Sequence, residues 1–173
     1  LRRMKKVFFA FVAASVVVLS ACNNKPAEST ETTEPAATEE PAAPAADANT
    51  AEVTLNAGDD MKYDITEIKV KEGQTVKLTL HHTGQAPKVA MGHNFVLLQA
   101  GASLENYAKD AINAKDDDYF PKALAKDVIA HTKTIGGGES DTVEFPAPAK
   151  GTYDFLCSFP GHSGTMHGKF IVE

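Results

Sequence analysis

The chain has 173 residues, with 17 Lys and Arg against 23 Asp and Glu, for a formal net charge of −6. An acidic balance of this size argues against nucleic acid, and against electrostatic adhesion to an anionic membrane. The length suits one ordinary domain, but the first fifty residues lack a globular composition.

Residues 1–21 read as a secretory signal. Arg2, Arg3, Lys5 and Lys6 precede an apolar run from Val7 to Leu19, which is short for a transmembrane helix. The run ends in Leu19-Ser20-Ala21-Cys22, which resembles a bacterial lipobox. Cleavage before Cys22 would leave that residue to carry a lipid; the alternative is a soluble export signal with an incidental cysteine. Met4 is a candidate start. Losing the four cations of residues 1–21 takes the net charge from −6 to −10. Residues 22–50 are rich in Ala, Pro, Thr and Glu and have too little apolar surface to offset chain entropy. They are expected to form a disordered tether, leaving residues 51–173 as the folded domain. A lipid-anchored periplasmic or cell-surface location follows as an expectation, with the membrane contacted through Cys22.

From Ala51 onward the pattern is alternation. Val53 and Leu55 begin a strand, Gly58-Asp59-Asp60 turns, and Tyr63, Ile65, Ile68 and Val70 follow. Val76, Leu78 and Leu80 alternate with polar residues, predicting a half-buried strand with its apolar face at even positions. Phe95 to Leu98 is apolar on both faces, as an internal strand would be. Ser103 is a candidate N-cap for a helix whose apolar face holds Leu104, Tyr107, Ala108, Ala111 and Ile112. Asp116-Asp117-Asp118 lacks the spacing of a calcium loop and reads as a solvated turn. Val128–His131, Thr142–Phe145, Gly151–Cys157 and Gly168–Glu173 supply further strands, so the fold class is all-β: a sandwich or barrel with one short helical excursion.

Chemistry concentrates in Cys157-Ser158-Phe159-Pro160-Gly161-His162-Ser163-Gly164-Thr165-Met166. With Cys22 assigned to lipid, Cys157 is the lone thiol of the domain, so it is buried and inert, paired between molecules, or metal-bound. Thiolate, imidazole and thioether on one loop suit copper, and two His, one Cys and a weak axial Met is the blue-copper set. His93 is the candidate second histidine: it stands between Gly92 and Asn94 at the entrance to the most apolar strand. His81 and His82 face opposite sides of a strand and cannot share a metal, His131 ends a strand with no partner signal, and His167 is locked next to Met166.

Met91-Gly92-His93-Asn94, with Cys157-Ser158-Phe159-Pro160-Gly161-His162 and Met166, resembles the azurin and auracyanin-type cupredoxins. The similarity runs from about Ala51 to the C-terminus and includes Pro87-Lys88 and Val128 to Lys133. It implies a Greek-key β-sandwich and a mononuclear copper site. His93, Cys157 and His162 would form the coordination plane, with Met166 axial and the Gly92 carbonyl weakly opposite. Asn94 and Phe159 would support the loop and the sulfur. Met91, Phe159, Pro160, Gly161 and Ala86 would form an apolar patch for weak docking of redox proteins, such as cytochromes or other copper or haem oxidoreductases. Two departures stand out: Val53 lies near the place of a disulfide cysteine, and Phe95 stands where azurin has a buried tryptophan.

The function implied is one-electron transfer. A protein that stores or delivers copper through the same ligands is the alternative. An enzyme with a second catalytic copper would need a second ligand cluster, and a binuclear centre would need a second cysteine in the loop. Neither is evident in the sequence. Zinc could take Cys and two His, but Met is a poor zinc ligand.

Overall fold

The computed structural model describes residues 49–173. The expected signal peptide, Cys22 and nearly all of the expected tether lie outside the described residues. Among the described residues, eight strands form two sheets. They are β1 (Thr50–Ala57), β2 (Glu67–Val70), β3 (Thr75–His82), β4 (Val96–Leu98), β5 (Val128–His131), β6 (Ser140–Pro146), β7 (Gly151–Leu156) and β8 (His167–Val172). One sheet has the order β1-β3-β6 and the other β2-β8-β7-β4-β5. Pairs β1·β3 and β2·β8 are parallel, and the remaining neighbours are antiparallel.

Alternation decides which face packs inward. Along β3, Val76, Leu78, Leu80 and His82 are all 0% exposed, while Lys77, Thr79 and His81 are only partly covered. Val76, Leu78 and Leu80 meet Phe155 and Phe170 of the other sheet, and Phe95 just before β4, in one core. Phe95 is fully buried there, so a smaller ring fills the interior of a chain without tryptophan. Cys157 is the free cysteine among the described residues, and the sandwich is held by packing without a disulfide.

Strand β4 is apolar on both faces because both are covered. Leu97 belongs to the main core, whereas Val96 and Leu98 join Leu156 and Tyr107 in a second cluster. Tyr107 comes from helix α2 (Leu104–Ala111), which lies over the outside of the five-stranded sheet and is capped by Ser103 Oγ accepting from Asn106 N–H at 3.2 Å. Ile112 departs from the expected helix face. It sits just past the last turn and is 53% exposed. The helical content also exceeds a single excursion. Two 3-10 turns (Lys115–Asp117 and Lys122–Asp127) follow α2, and a four-residue helix α1 (Lys88–Met91) links β3 to β4.

Candidate metal centre

Hairpin closure brings the ends of the cysteine loop together. Leu156 pairs with His167 across β7 and β8, so Cys157 and Met166 fall opposite one another, and Cys157 N–H donates to the Met166 carbonyl at 2.9 Å. Inside the loop, His162 N–H donates to the Phe159 carbonyl, and Met166 N–H to the His162 carbonyl. Met166 is fully buried. His93 arrives from α1 and is fixed by two backbone hydrogen bonds with Ile135, one in each direction.

His93, Cys157 and His162 offer ligand atoms that all lie within 4.8 Å of one another, and all three residues are buried. The two Nδ1 atoms are 3.2 Å apart, and Cys157 Sγ is 3.7 Å from His162 Nδ1. A metal with bonds of about 2.0 Å to nitrogen and about 2.3 Å to sulfur in a trigonal plane would hold its donors at such separations. His93 Nε2 lies 2.9 Å from the Gly58 carbonyl, which can only accept, so Nε2 carries the proton and Nδ1 presents a lone pair to the centre. The donor set therefore fits a thiophilic ion that also takes imidazole.

Burial sets the protonation states. Desolvation pushes the Cys157 thiol up to about 11, although the N–H groups of Asn94 and Phe159 face the sulfur and oppose that rise. Desolvation first, and then the neighbouring imidazoles of His93 and His82, bring His162 down to about 4. Desolvation also lowers His93. The imidazoles are thus held neutral, ready to donate lone pairs.

The surroundings hold the donors in place. Asn94 Nδ2 donates to Ser158 Oγ and Ser158 N–H donates to Asn94 Oδ1, both at 2.8 Å. Gly92 is closely packed: a Cβ there would lie 2.7 Å from the Lys88 carbonyl and from Thr134 Cγ2, and 2.8 Å from Phe159 Cδ2. Its carbonyl stands 4.0 Å from Cys157 Sγ.

One expectation changes. Phe159, expected at the docking patch, is 8% exposed and packs against Tyr119 and His162 as a wall of the centre. His162 beside it is only 3% exposed. Ala86, Met91 and Pro160 are partly exposed and Gly161 is exposed.

Three contributors escape a search for ligands. His82 stacks on His93 with ring centroids 4.4 Å apart, and its Nε2 lies 2.8 Å from the Met91 carbonyl. The signal was its even position on β3, in phase with Leu78 and Leu80. Tyr63 donates its hydroxyl to the Asn94 carbonyl at 2.6 Å. Gly58 acts through its backbone, which composition does not reveal.

Residues 49–173 match copper binding proteins of the plastocyanin/azurin family. The chain is 40% identical over 188 residues to outer membrane protein H.8 of Neisseria meningitidis serogroup B, covering 96% of this chain and 98% of that one. It is 42% identical over 120 residues to azurin of Bordetella pertussis, covering 67% and 79%. The structure superposes on auracyanin A, a blue copper protein of Chloroflexus aurantiacus, with a TM-score of 0.65 and 31% identity, covering 72% and 99%. With its two-sheet fold and buried His–Cys–His cluster, the chain belongs to the plastocyanin/azurin family as an azurin- and auracyanin-type cupredoxin, and its cofactor is copper.

Proposed function

We propose that this protein is a one-electron carrier, tethered to the outer side of a bacterial membrane through lipid on Cys22. The observation that carries the electron-transfer reading is the buried His93–Cys157–His162 cluster, whose donor atoms come from two separate, rigidly hydrogen-bonded segments. Met166 would offer copper a thioether and the Gly92 carbonyl a weak oxygen donor. Bound copper would supply the redox couple, Cu(II)/Cu(I). The protein's part is restraint: Gly58 and Ile135 hold His93, Asn94 and Ser158 hold the loop, and the N–H groups of Asn94 and Phe159 stabilise thiolate charge. Fixed donors limit rearrangement between oxidation states, which favours fast transfer.

Partners would be redox proteins that dock weakly at the copper end. Among the described residues, the exposed large apolar side chains are Met61, Val89 and Ile112. Met61 and Ile112 border the loop, the Met61 carbonyl accepting from Thr165 and Ile112 sharing a groove with Phe159 and Gly161, while Val89 lies on α1, three residues before Gly92. A small apolar surface of this kind suits brief encounters. The leader sequence and the likeness to an outer membrane protein support the extracytoplasmic placement.

Loading the domain with Cu(II) and recording visible and EPR spectra tests the reading. An intense thiolate-to-copper band with narrow hyperfine splitting, reversible redox cycling and slow loss of copper to a chelator are expected. A colourless protein refutes the copper centre. Rapid, complete loss of copper to a chelator refutes the carrier in favour of storage or delivery.

A further inference from the structure

The turn after β1 meets the metal centre through two adjacent residues. Gly58 takes the His93 Nε2–H, while Asp59 reaches to the loop between β3 and α1. Asp59 Oδ2 accepts from Gln85 N–H at 2.9 Å and Oδ1 from Ala86 N–H at 3.2 Å. That loop in turn orients His82: Gly84 N–H donates to His82 Nδ1 at 3.1 Å, which leaves Nε2–H to donate to the Met91 carbonyl. The Asp59 carboxylate also occupies the space above Gly84, where a Cβ would collide with Oδ1. On the other side, a Cβ on Gly137 would come within 2.6 Å of the Gln85 backbone, and Gly137 N–H donates to the Ala86 carbonyl. The loop is clamped from both sides.

We infer that Asp59 is a positioning residue for electron transfer, locking the Gly84–Ala86 loop so that His82 backs the His93 ring. The inference rests on the copper electron-transfer reading. Two backbone N–H groups on one carboxylate are charge-assisted bonds, stronger than neutral ones. Without them the loop gains freedom, His82 loses a fixed donor, and His93 has a mobile wall behind it. A ligand ring free to move between oxidation states slows exchange. The charge acts as well: Asp59 Oδ1 lies 3.9 Å from His82 Nε2, and a nearby anion favours the more positive, oxidised site.

Asp59→Ala and Asp59→Asn separate these effects, since Asn keeps an acceptor and loses the charge. In the metal-free protein, Asp59→Ala should speed amide hydrogen exchange at Gln85 and Ala86 by about tenfold, as expected for one lost charge-assisted bond. Asp59→Asn, which keeps a single acceptor oxygen, should restore that protection at one of the two amides only. In the copper-loaded protein, both variants should raise the reduction potential, and the alanine variant alone should slow electron self-exchange several-fold. Wild-type amide protection and wild-type self-exchange in Asp59→Ala would overturn the inference. If the wild type forms no blue copper site, the functional reading fails, while amide exchange still judges the clamp.

Discussion

Asn94 ties the two halves of the centre together, and replacing it with alanine tests how much that tie contributes. The substitution removes Oδ1, the acceptor for Ser158 N–H, and Nδ2, the donor to Ser158 Oγ. Ser158 is 1% exposed, so water cannot replace the lost acceptor without opening the loop. An orphaned buried N–H costs about 2 kcal/mol and the second lost bond about 1 kcal/mol, for a loss of about 3 kcal/mol. At about 3–4 °C per kcal/mol for a domain of this size, the melting temperature should fall by about 10 °C. Calorimetry or circular dichroism on the metal-free protein is the assay, because bound metal would add its own stabilisation. The Asn94 main chain should still face the sulfur and accept from Tyr63, so the loaded variant should keep a thiolate-to-copper band. A fall of less than about 3 °C would refute the reasoning, since one unpaired buried donor already predicts more.

Gly92→Ala forces a methyl group into a space where three atoms lie within 2.8 Å, and should cost about 2 kcal/mol in denaturant melts and alter the visible band. Wild-type stability would contradict the packing. Val89→Glu and Ile112→Glu place charge on the apolar rim and should slow bimolecular electron exchange without changing the spectrum; unchanged rates would remove these residues from the docking face. Ala86→Leu should speed exchange by enlarging the apolar surface, and unchanged rates would count against the patch. The pH dependence has a definite sign. His162 titrates near 6.5 in the unfolded chain and at about 4 in the fold, so the unfolded state binds more protons between those values. Stability of the metal-free protein should be lost as pH falls from about 6.5 to about 4, and His162→Gln should flatten that part of the curve.

The alternation on β3 and the double-sided burial of β4 were legible in the chain because strand periodicity is local. Periodicity could not set the register that places Leu156 against His167, or show that α2 covers the second face of β4. The short helical turns beside α2 were not legible either. Helix α1 has no buried residue, so it leaves no apolar stripe to read. The resemblance implied Phe159 at a surface patch, yet tertiary packing turns its ring inward against Tyr119 and His162.

The sequence alone determined the chemistry at stake. Cys157, His162 and Met166 lie within ten residues, and a thiol, an imidazole and a thioether so spaced have few uses in common other than a soft metal. Only the tertiary structure decided how His93 meets them and what holds it there. Gly58, Tyr63, His82 and Asp59 come from turns and strands distant in the chain, and three of these act through a backbone carbonyl or on one. Hydrogen bonds to main-chain atoms depend on where the backbone passes, not on which side chain it carries there, so they become visible only when the fold is known.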